Sequence, residues 1–335
     1  MSISSADSLT RARMFALLGK LAPLIFLLIL VVIFASLQPR FLMPLNLFNT
    51  LRQVSIYGII AVGMTFVILI RGIDLSVGAI VAMSGLCAAV IAHGGIDGRI
   101  ALSADGTGYH WVLAALAAIA AGTLAGLLQG MAVAWLSVPA FVVTLGGMTV
   151  FRGIALSIGN GGPISGFDAA FGWWGRGMIG PVPVPVIVFA VVVLVAHLVL
   201  TQTRFGRSVY AVGSNPDAAR LSGINTNRVT ILVYGLIGFC SGLGGFMLAS
   251  RLNSAEAVAG TGYELTAIAA VVIGGTSLYG GTGGLMGTVI GAVLIGVLMN
   301  GLVILNVSPY TQQILVGLII VAAVAFDYFI KRQSR

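Results

Sequence analysis

Long apolar runs recur along almost the whole sequence, and they constrain the fold more than any other feature. A helix needs about 20 residues to cross a hydrocarbon core of roughly 30 Å. Ten runs are candidate spans, at about 21 to 37, 54 to 71, 75 to 93, 111 to 136, 140 to 158, 182 to 200, 229 to 250, 264 to 279, 284 to 305 and 312 to 330. The sequence therefore predicts an all-α polytopic membrane protein with about ten transmembrane helices.

The charged residues support this interpretation, because they are few. Only 8% of the 335 residues are charged, while 59% are hydrophobic, so little chain is left for a soluble domain. Residues 1–335 are therefore predicted to form one transmembrane domain. The net charge of +8 raises the question of nucleic acid, but most Lys and Arg lie in short loops and at the termini, where membrane topology explains them. Nucleic acid is not an expected partner.

The positive charges also predict the orientation of the chain. An even number of spans puts both termini on one side, and that side carries eleven Lys and Arg residues against six on the other. Cytoplasmic segments carry the excess of positive charge, so both termini are predicted to be cytoplasmic. Arg11, Arg13 and Lys20 precede the first apolar run as in a signal peptide. That run is longer than a typical signal and lacks an A-x-A site, which favours an uncleaved first span.

An internal repeat relates the two halves of the chain. NTLRQVSIYGII at 49 to 60 resembles NTNRVTILVYGLI at 225 to 237, and GIDLS at 72 to 76 matches GYELT at 262 to 266. The halves, at about 49–158 and 225–330, hold spans 2–5 and 7–10. Because their first spans are five spans apart, they cross the membrane in opposite senses. An inverted repeat of this kind is typical of transport proteins.

The repeat pairs two acids, each followed two residues later by a hydroxyl. Asp74 with Ser76 corresponds to Glu264 with Thr266. Each acid stands just ahead of an apolar helix, where a carboxylate can accept backbone N–H bonds and complement the positive helix end. We interpret both acids first as helix-start caps. The alternative is that they line the transport path and bind a polar solute, since acids at membrane depth usually serve function.

Two amides occupy matched positions later in the halves. Gln129-Gly130 corresponds to Asn300-Gly301. Gln129 and Asn300 are candidates for a polar lining of the path, and hydrogen bonding between helices is the alternative. Glycines at four-residue spacing, at 122, 126 and 130, predict close helix packing rather than a site.

The longest predicted cytoplasmic loop, 201–228, contains a short helix with clear boundaries. Asn215 is a good N-cap, Pro216 fits the first helical position, and Gly223 ends the helix. A helix this short needs a partner surface. A transporter driven by a separate ATPase requires a coupling helix that docks on that ATPase. The alternative is a loop helix packed on its own protein.

Catalytic and metal sites are not predicted in this chain. Lys20 and Lys331 are the only lysines, and neither stands in a phosphate-binding Gly-Lys-Ser or Gly-Lys-Thr. The three histidines are far apart in sequence, and Cys87 and Cys240 show no zinc or redox spacing. Any ATP must therefore bind elsewhere, and an intramembrane enzyme finds little support.

Three stretches together resemble a known family. GIDLSVGAIVAMSG, GRSVYAVGSNPDAARLSGI and GTGYELTAIAAVVIGGTSLYGG are similar to the permease subunits of bacterial ATP-binding-cassette importers for monosaccharides, the ribose-type family with its xylose, allose and galactoside relatives. The resemblance runs from about Phe41 to Asp327. The loops 94–110 and 159–185 are not matched.

The resemblance implies a permease in the bacterial inner membrane, paired with a second subunit as a homodimer or with a paralogue. Its implied partners are membrane lipid, a periplasmic sugar-binding protein and a cytoplasmic ATPase, which would bind the ATP and Mg. The family's coupling segment falls on Asn215, Pro216, Asp217, Ala218, Ala219, Arg220, Leu221, Ser222, Gly223 and Ile224. The competing hypothesis is a self-sufficient secondary transporter or channel, in which Asp74 or Glu264 would carry a proton or cation.

Overall fold

The computed structural model of the protein describes residues 22–93 and 110–333. Apart from its last residue, His110, the predicted loop 94–110 lies outside the described residues. The described residues form thirteen α-helices: α1 Ala22–Leu37, α2 Pro44–Leu69, α3 Val77–His93, α4 Trp111–Trp135, α5 Ala140–Ile158, α6 Ala169–Arg176, α7 Val184–Gln202, α8 Arg204–Ser214, α9 Pro216–Leu221, α10 Thr226–Leu252, α11 Tyr263–Ile273, α12 Leu285–Ile304 and α13 Pro309–Gln333.

Short irregular elements complete the described chain. Pro39–Leu42 forms a 3-10 turn between α1 and α2. The two-residue strands β1, Ile164–Ser165, and β4, Ser254–Ala255, pair in antiparallel register. A second antiparallel pair joins β2, Met178–Ile179, to β3, Val182–Pro183.

The predicted all-α polytopic fold is confirmed. Six helices, α2, α4, α5, α7, α10 and α12, are long and apolar enough to cross a membrane. The remaining four predicted spans correspond to shorter apolar helices, Ala22–Leu37, Val77–His93, Tyr263–Ile273 and Pro309–Ala322. Sequence hydropathy therefore locates an apolar helix at each of the ten predicted positions.

Two helix boundaries differ substantially from the prediction. α2 begins at Pro44 rather than near residue 54, because proline fits the first helical position and the turns that follow are helical although polar. α11 ends at Ile273 rather than near residue 279. Gly275, with φ of +88°, supplies the left-handed backbone that follows the helix end.

The centre of the molecule is built around α2 and α10. α10 packs against α4, α3 and α2, and α2 packs in addition against α12, α7 and α11. α4 and α10 are in backbone contact: a Cβ at Gly122 would overlap the Gly238 carbonyl oxygen, and one at Gly126 would overlap that of Tyr234. Small residues permit this close approach.

The segment 159–185, expected only as a loop, contains helix α6. Asp168 caps α6 by accepting a 2.7 Å hydrogen bond from the Phe171 backbone N–H. The Ser250 hydroxyl of α10 accepts from Gly175 N–H at 2.7 Å and donates to the Phe171 carbonyl at 2.5 Å. α6 is therefore fixed to the last turn of α10. We call this end of the bundle the α6 end, and the opposite end the α8–α9 end.

Candidate functional site

A buried polar cluster joins the start of α3 to α4. The Ser76 backbone N–H and hydroxyl donate to Asp74 Oδ1 at 2.8 and 2.6 Å. The Gln129 side-chain amide hydrogen-bonds the Ser76 hydroxyl, with Nε2 at 2.8 Å. All three side chains are buried. The geometry allows Asp74 to satisfy a backbone N–H at the start of α3 while Ser76 links that start to another helix.

The loop that carries Asp74, residues 70–76, is held by two further helices. The Ile73 carbonyl oxygen accepts a hydrogen bond from the Thr144 hydroxyl of α5 at 3.2 Å and one from the Tyr234 hydroxyl of α10 at 3.4 Å. Together with Gln129 of α4, these bonds fix the loop to three helices. A shift of any of these three helices would therefore displace the start of α3.

The charge of Asp74 is only partly compensated. Its Oδ2 atom is buried and has no hydrogen-bond partner within the described ranges. Asp74 lies between α2 and α3, and burial raises the pKa of its carboxyl to about 6, although the hydrogen bonds from Ser76 oppose the shift. The carboxyl therefore titrates closer to neutral pH than an exposed aspartate does.

Glu264, the sequence counterpart of Asp74, lies in different surroundings, with its carboxylate beside Gly78 in the first turn of α3. Its Oε1 accepts a 3.2 Å hydrogen bond from Gly262 N–H, and the Thr266 hydroxyl donates to the Gly262 carbonyl at 3.0 Å. Arg152 of α5 lies close enough to interact with Glu264 electrostatically, and its guanidinium donates to the carbonyls of Ala257 and Ala259. The two sequence-matched acids thus have different partners, although both lie near the start of α3.

Asn300 pairs with a residue that the sequence did not single out. Asn46 and Asn300 exchange two hydrogen bonds, each of 2.9 Å, between α2 and α12. Asn46 also donates to the Phe41 carbonyl at 2.8 Å. Asn300 and Gln129 both make hydrogen bonds between helices. Their role as solute contacts stays a prediction.

Removal of the Ser76 hydroxyl is expected to destabilise the protein. The substitution Ser76→Ala leaves Asp74 without its side-chain donor and the buried Gln129 amide without its partner. We expect a loss of about 1–3 kcal/mol in the free energy of unfolding. Thermal unfolding of the purified variant in detergent measures the effect.

The same helix offers a matched control. Ser84 of α3 is also buried, but its hydroxyl has no hydrogen-bond partner in the described part of the chain. Ser84→Ala removes the same atom without breaking a bond, so its midpoint should equal or exceed that of the unmodified protein. Equal midpoints for the two variants would contradict the assigned network.

The predicted coupling segment forms a capped helix. The Asn215 side-chain oxygen accepts hydrogen bonds of 3.0 Å from the N–H groups of Asp217 and Ala218. At the other end, Gly223 has φ of +82°, and Ile224 N–H donates to the Ala219 carbonyl at 3.0 Å. These are the bonds expected at an N-cap and at a helix end closed by glycine.

The segment presents an exposed surface. Among residues 215–224, only Ala219 is buried and Ile224 half-buried, while the others are exposed. Leu221 is 90% exposed. The Leu221 side chain is therefore available for contact with another molecule. The buried Ala219 packs α9 against the rest of the protein. The exposed face of α9 is accessible to a partner.

Helix α8, which precedes the coupling segment, was missed by the sequence reasoning. Thr203 caps it by accepting a 3.2 Å hydrogen bond from Gly206 N–H. A threonine three residues ahead of glycine is a weak signal, but the apolar residues Phe205, Val209 and Val212 lie on one helical face. That periodicity could have identified α8.

Metal ligation is not supported by the described geometry. Across residues 22–93 and 110–333, no three His, Cys, Asp or Glu side chains lie together as a metal site would require. The candidate site consists of two parts at the same end of the bundle: the buried cluster around Asp74 and the exposed segment 215–224.

Comparison with known proteins identifies similar chains along nearly the whole length. The family model described as "branched-chain amino acid transport system / permease component" matches residues 46–324. The ribose import permease protein RbsC of Escherichia coli (strain K12) is 46% identical over 308 residues, 91% of this chain and 92% of that protein.

Two further relatives are similar over the same extent. RbsC of Bacillus subtilis (strain 168) is 44% identical over 310 residues, 92% of each chain. The D-allose transport system permease protein AlsC of Escherichia coli (strain K12) is 39% identical over 308 residues, 91% of this chain and 90% of that protein. No solved structure matches.

Proposed function

Because this chain belongs to the family of branched-chain amino acid transport system permease components, we propose that it carries a monosaccharide across the bacterial inner membrane as the permease subunit of an ATP-binding-cassette importer. The chain is a transport subunit rather than an enzyme, since its relatives are permease components. The observation that carries the proposal is the identity with sugar permeases along almost the entire chain.

The class of solute follows from the relatives rather than from the family description. That description names branched-chain amino acids, but the relatives that match this chain along nearly their full length are named for ribose and allose. These relatives favour a ribose-like pentose or a hexose. A stand-alone secondary transporter is not favoured by these findings.

A permease of this kind works with a separate ATPase and a substrate-binding protein. The exposed face of α9 supports the proposal that residues 215–224 dock on the ATPase. The segment is capped at both ends and carries the exposed Leu221, so it can enter a groove without refolding. The sugar-binding protein would then dock at the opposite, α6 end.

The proposed orientation puts the α8–α9 end in the cytoplasm. Arg204, Arg207 and Arg220 belong to α8 and α9, and Arg71 contacts α8. Counted over the whole sequence, this side carries the excess of positive charge. The orientation puts both termini in the cytoplasm and exposes residues 215–224 to a cytoplasmic ATPase.

Helix packing supports the proposed inverted repeat. α4, from the first half, packs on α10 of the second, and α12, from the second half, packs on α2 of the first. Within the halves, α3 packs on α5 as α11 packs on α13. This reciprocal exchange is expected of two halves related by a pseudo-two-fold axis, which can rock against each other to open the path to either side.

A second permease subunit is proposed to cover part of the outer surface. α5 and α7 leave several of their large apolar side chains exposed, and such surfaces require lipid or another subunit. We propose a homodimer with its remaining apolar surface in contact with membrane lipid. Each copy would contribute one coupling segment to the ATPase dimer.

Reconstitution tests the proposal. Vesicles are prepared with this chain in the membrane, its ATPase and ATP inside, and its binding protein outside. They should accumulate labelled ribose or allose only when ATP is present inside. An ATPase variant unable to hydrolyse ATP serves as the matched control and should abolish accumulation. Accumulation by this chain alone under an ion gradient would instead establish a secondary transporter.

A further inference from the structure

One loop connects the exposed coupling segment to the buried polar cluster. Residues 70–76 follow α2 and precede α3. Arg71, near the beginning of the loop, contacts the last turn of α8, immediately before α9. Asp74 and Ser76, at its other end, belong to the buried cluster with Gln129. No more than five residues separate the two contacts along the chain.

Arg71 binds the last residues of α8, which lead into the coupling segment. Its Nε donates to the Gly213 carbonyl oxygen at 2.6 Å, and its Nη2 donates to that of Ser214. The planar guanidinium therefore binds two successive carbonyls, a geometry that lysine cannot reproduce. The Arg71 backbone has φ of +65°, which is uncommon for a residue other than glycine. Such a conformation persists where the surrounding contacts hold it in place.

The end of α2, just before the loop, packs tightly against the end of α8. A Cβ at Gly213 would overlap the Leu69 carbonyl oxygen. The same carbonyl accepts a 2.9 Å hydrogen bond from Gly281 N–H, and the Tyr210 hydroxyl donates to the Gly283 carbonyl at 2.8 Å. The end of α2, the end of α8 and the turn before α12 are thus in backbone contact. Displacement of α8 must move its neighbours with it.

Beyond Arg71, the loop is attached to the interior. The Ile73 carbonyl is bonded by α5 and α10, and Ser76 is bonded by Gln129 of α4. A short chain held tightly at both ends passes on a displacement instead of absorbing it. The loop is therefore suited to connect movement at the membrane surface with the arrangement of the central helices.

We propose that Arg71 is a positioning residue that transmits movement of the coupling segment to the start of α3. The inference rests on the proposed function, because it requires an ATPase that moves α9. When α9 shifts, Arg71 carries the α2–α3 loop with it, and the Asp74–Ser76–Gln129 cluster transfers the displacement to α4. Without Arg71, ATP hydrolysis is no longer coupled to movement of the solute.

The substitution Arg71→Gln tests this role in the complete transporter of permease, ATPase and binding protein. Hydrolysis of ATP and uptake of labelled sugar are measured in the same vesicles. We expect hydrolysis within about twofold of the unmodified complex and about tenfold less sugar transported per ATP, which is within the usual range of coupling between sites. Unchanged sugar per ATP would overturn the inference.

Arg207→Gln is the matched control. Arg207 lies on α8, the helix whose last carbonyls Arg71 binds. It is exposed, and its guanidinium makes no hydrogen bond to the described residues. The control removes the same charge at the same end of the bundle. Its sugar per ATP should equal that of the unmodified complex, and a loss equal to that of Arg71→Gln would overturn the proposal in favour of a charge effect.

Arg71→Lys provides a second variant if Arg71→Gln does not assemble. It keeps the positive charge but cannot bind both carbonyls. Sugar per ATP should fall below that of the unmodified complex, and an unchanged ratio would overturn the inference. Uptake by the unmodified complex is measured alongside. If that uptake does not depend on the ATPase, the proposed function fails instead, so the two failures are distinguishable.

Hydrogen exchange provides a direct readout of the transmitted movement. ATP with vanadate, which holds the ATPase dimer closed, should change amide exchange in residues 204–222 and in residues 70–80 of the unmodified complex. In Arg71→Gln the change should persist in 204–222 and disappear from 70–80. A response at 70–80 that survives the substitution would overturn the inference.

Discussion

Replacement of Leu221 by aspartate is expected to abolish ATP-driven uptake by separating the permease from its ATPase. Leu221 projects from α9 and is 90% exposed, so the substitution removes no contact inside the permease. Burial of a leucine in a partner's groove contributes about 1.5–3 kcal/mol. An unpaired carboxylate in that groove adds a further penalty. Affinity for the ATPase should therefore fall by at least about a hundredfold.

Copurification of the ATPase with the tagged permease measures the effect, and thermal unfolding of the permease alone shows that its fold is intact. Asn227→Asp is the control, because Asn227 is also exposed, lies in the first turn of α10 near the same end and acquires the same charge. The control should retain the ATPase. Normal copurification of the ATPase with Leu221→Asp would show that α9 does not contribute to the contact between permease and ATPase.

The boundaries of the coupling segment could be predicted because local chemistry determines them. Asn215 caps the helix with its own side chain, Pro216 begins it, and Gly223 takes the left-handed conformation that ends it. Each of these effects acts within a few residues, so no knowledge of the rest of the fold is needed. The ten apolar helices were recognisable for a similar reason, since the membrane imposes one length and one polarity.

The contacts of the buried cluster could be predicted only in part. The pairing of Asp74 with Ser76 is local and follows from a cap at the start of α3. The bond from Ser76 to Gln129 joins residues 53 positions apart, and the bond from Asn46 to Asn300 spans 254 positions. Contacts of this kind depend on how helices pack, which hydropathy does not determine.

Arg71 shows the same limit at the membrane surface. In the sequence it counts only as one of the positive charges that orient the chain. In the structure its side chain binds the carbonyls of Gly213 and Ser214, 142 and 143 positions away. The function of a charged residue at a helix end depends on which loop folds over it, and the sequence of that end alone carries no such information.

The internal repeat predicts corresponding backbone positions better than corresponding contacts. Asp74 bonds Ser76 within a buried network, whereas Glu264 accepts from Gly262 and faces Arg152. Two halves in opposite orientations pack against different neighbouring elements. Their side chains therefore diverge while the helix packing stays reciprocal.

Replacement of Gly126 by leucine is expected to prevent the permease from folding stably. A Cβ at this position would overlap the Tyr234 carbonyl oxygen, so α4 and α10 must separate. α10 packs against three helices at the centre of the bundle, and the Tyr234 hydroxyl also holds Ile73. Separation would therefore disturb the core and the α2–α3 loop together. We expect a loss of at least about 3 kcal/mol, at or beyond the upper end of ordinary overpacking.

Gly146→Leu on α5 is the matched control, because no atom lies within 4 Å of a Cβ at Gly146. Leucine favours a helix over glycine by up to about 1 kcal/mol, so this variant should unfold at or above the midpoint of the unmodified protein. Gly126→Leu should give little monodisperse protein in detergent and a much lower midpoint. If both variants unfold alike, the backbone contact between α4 and α10 is not what holds the centre of the bundle together, and the reciprocal packing inferred for the two halves loses its main contact.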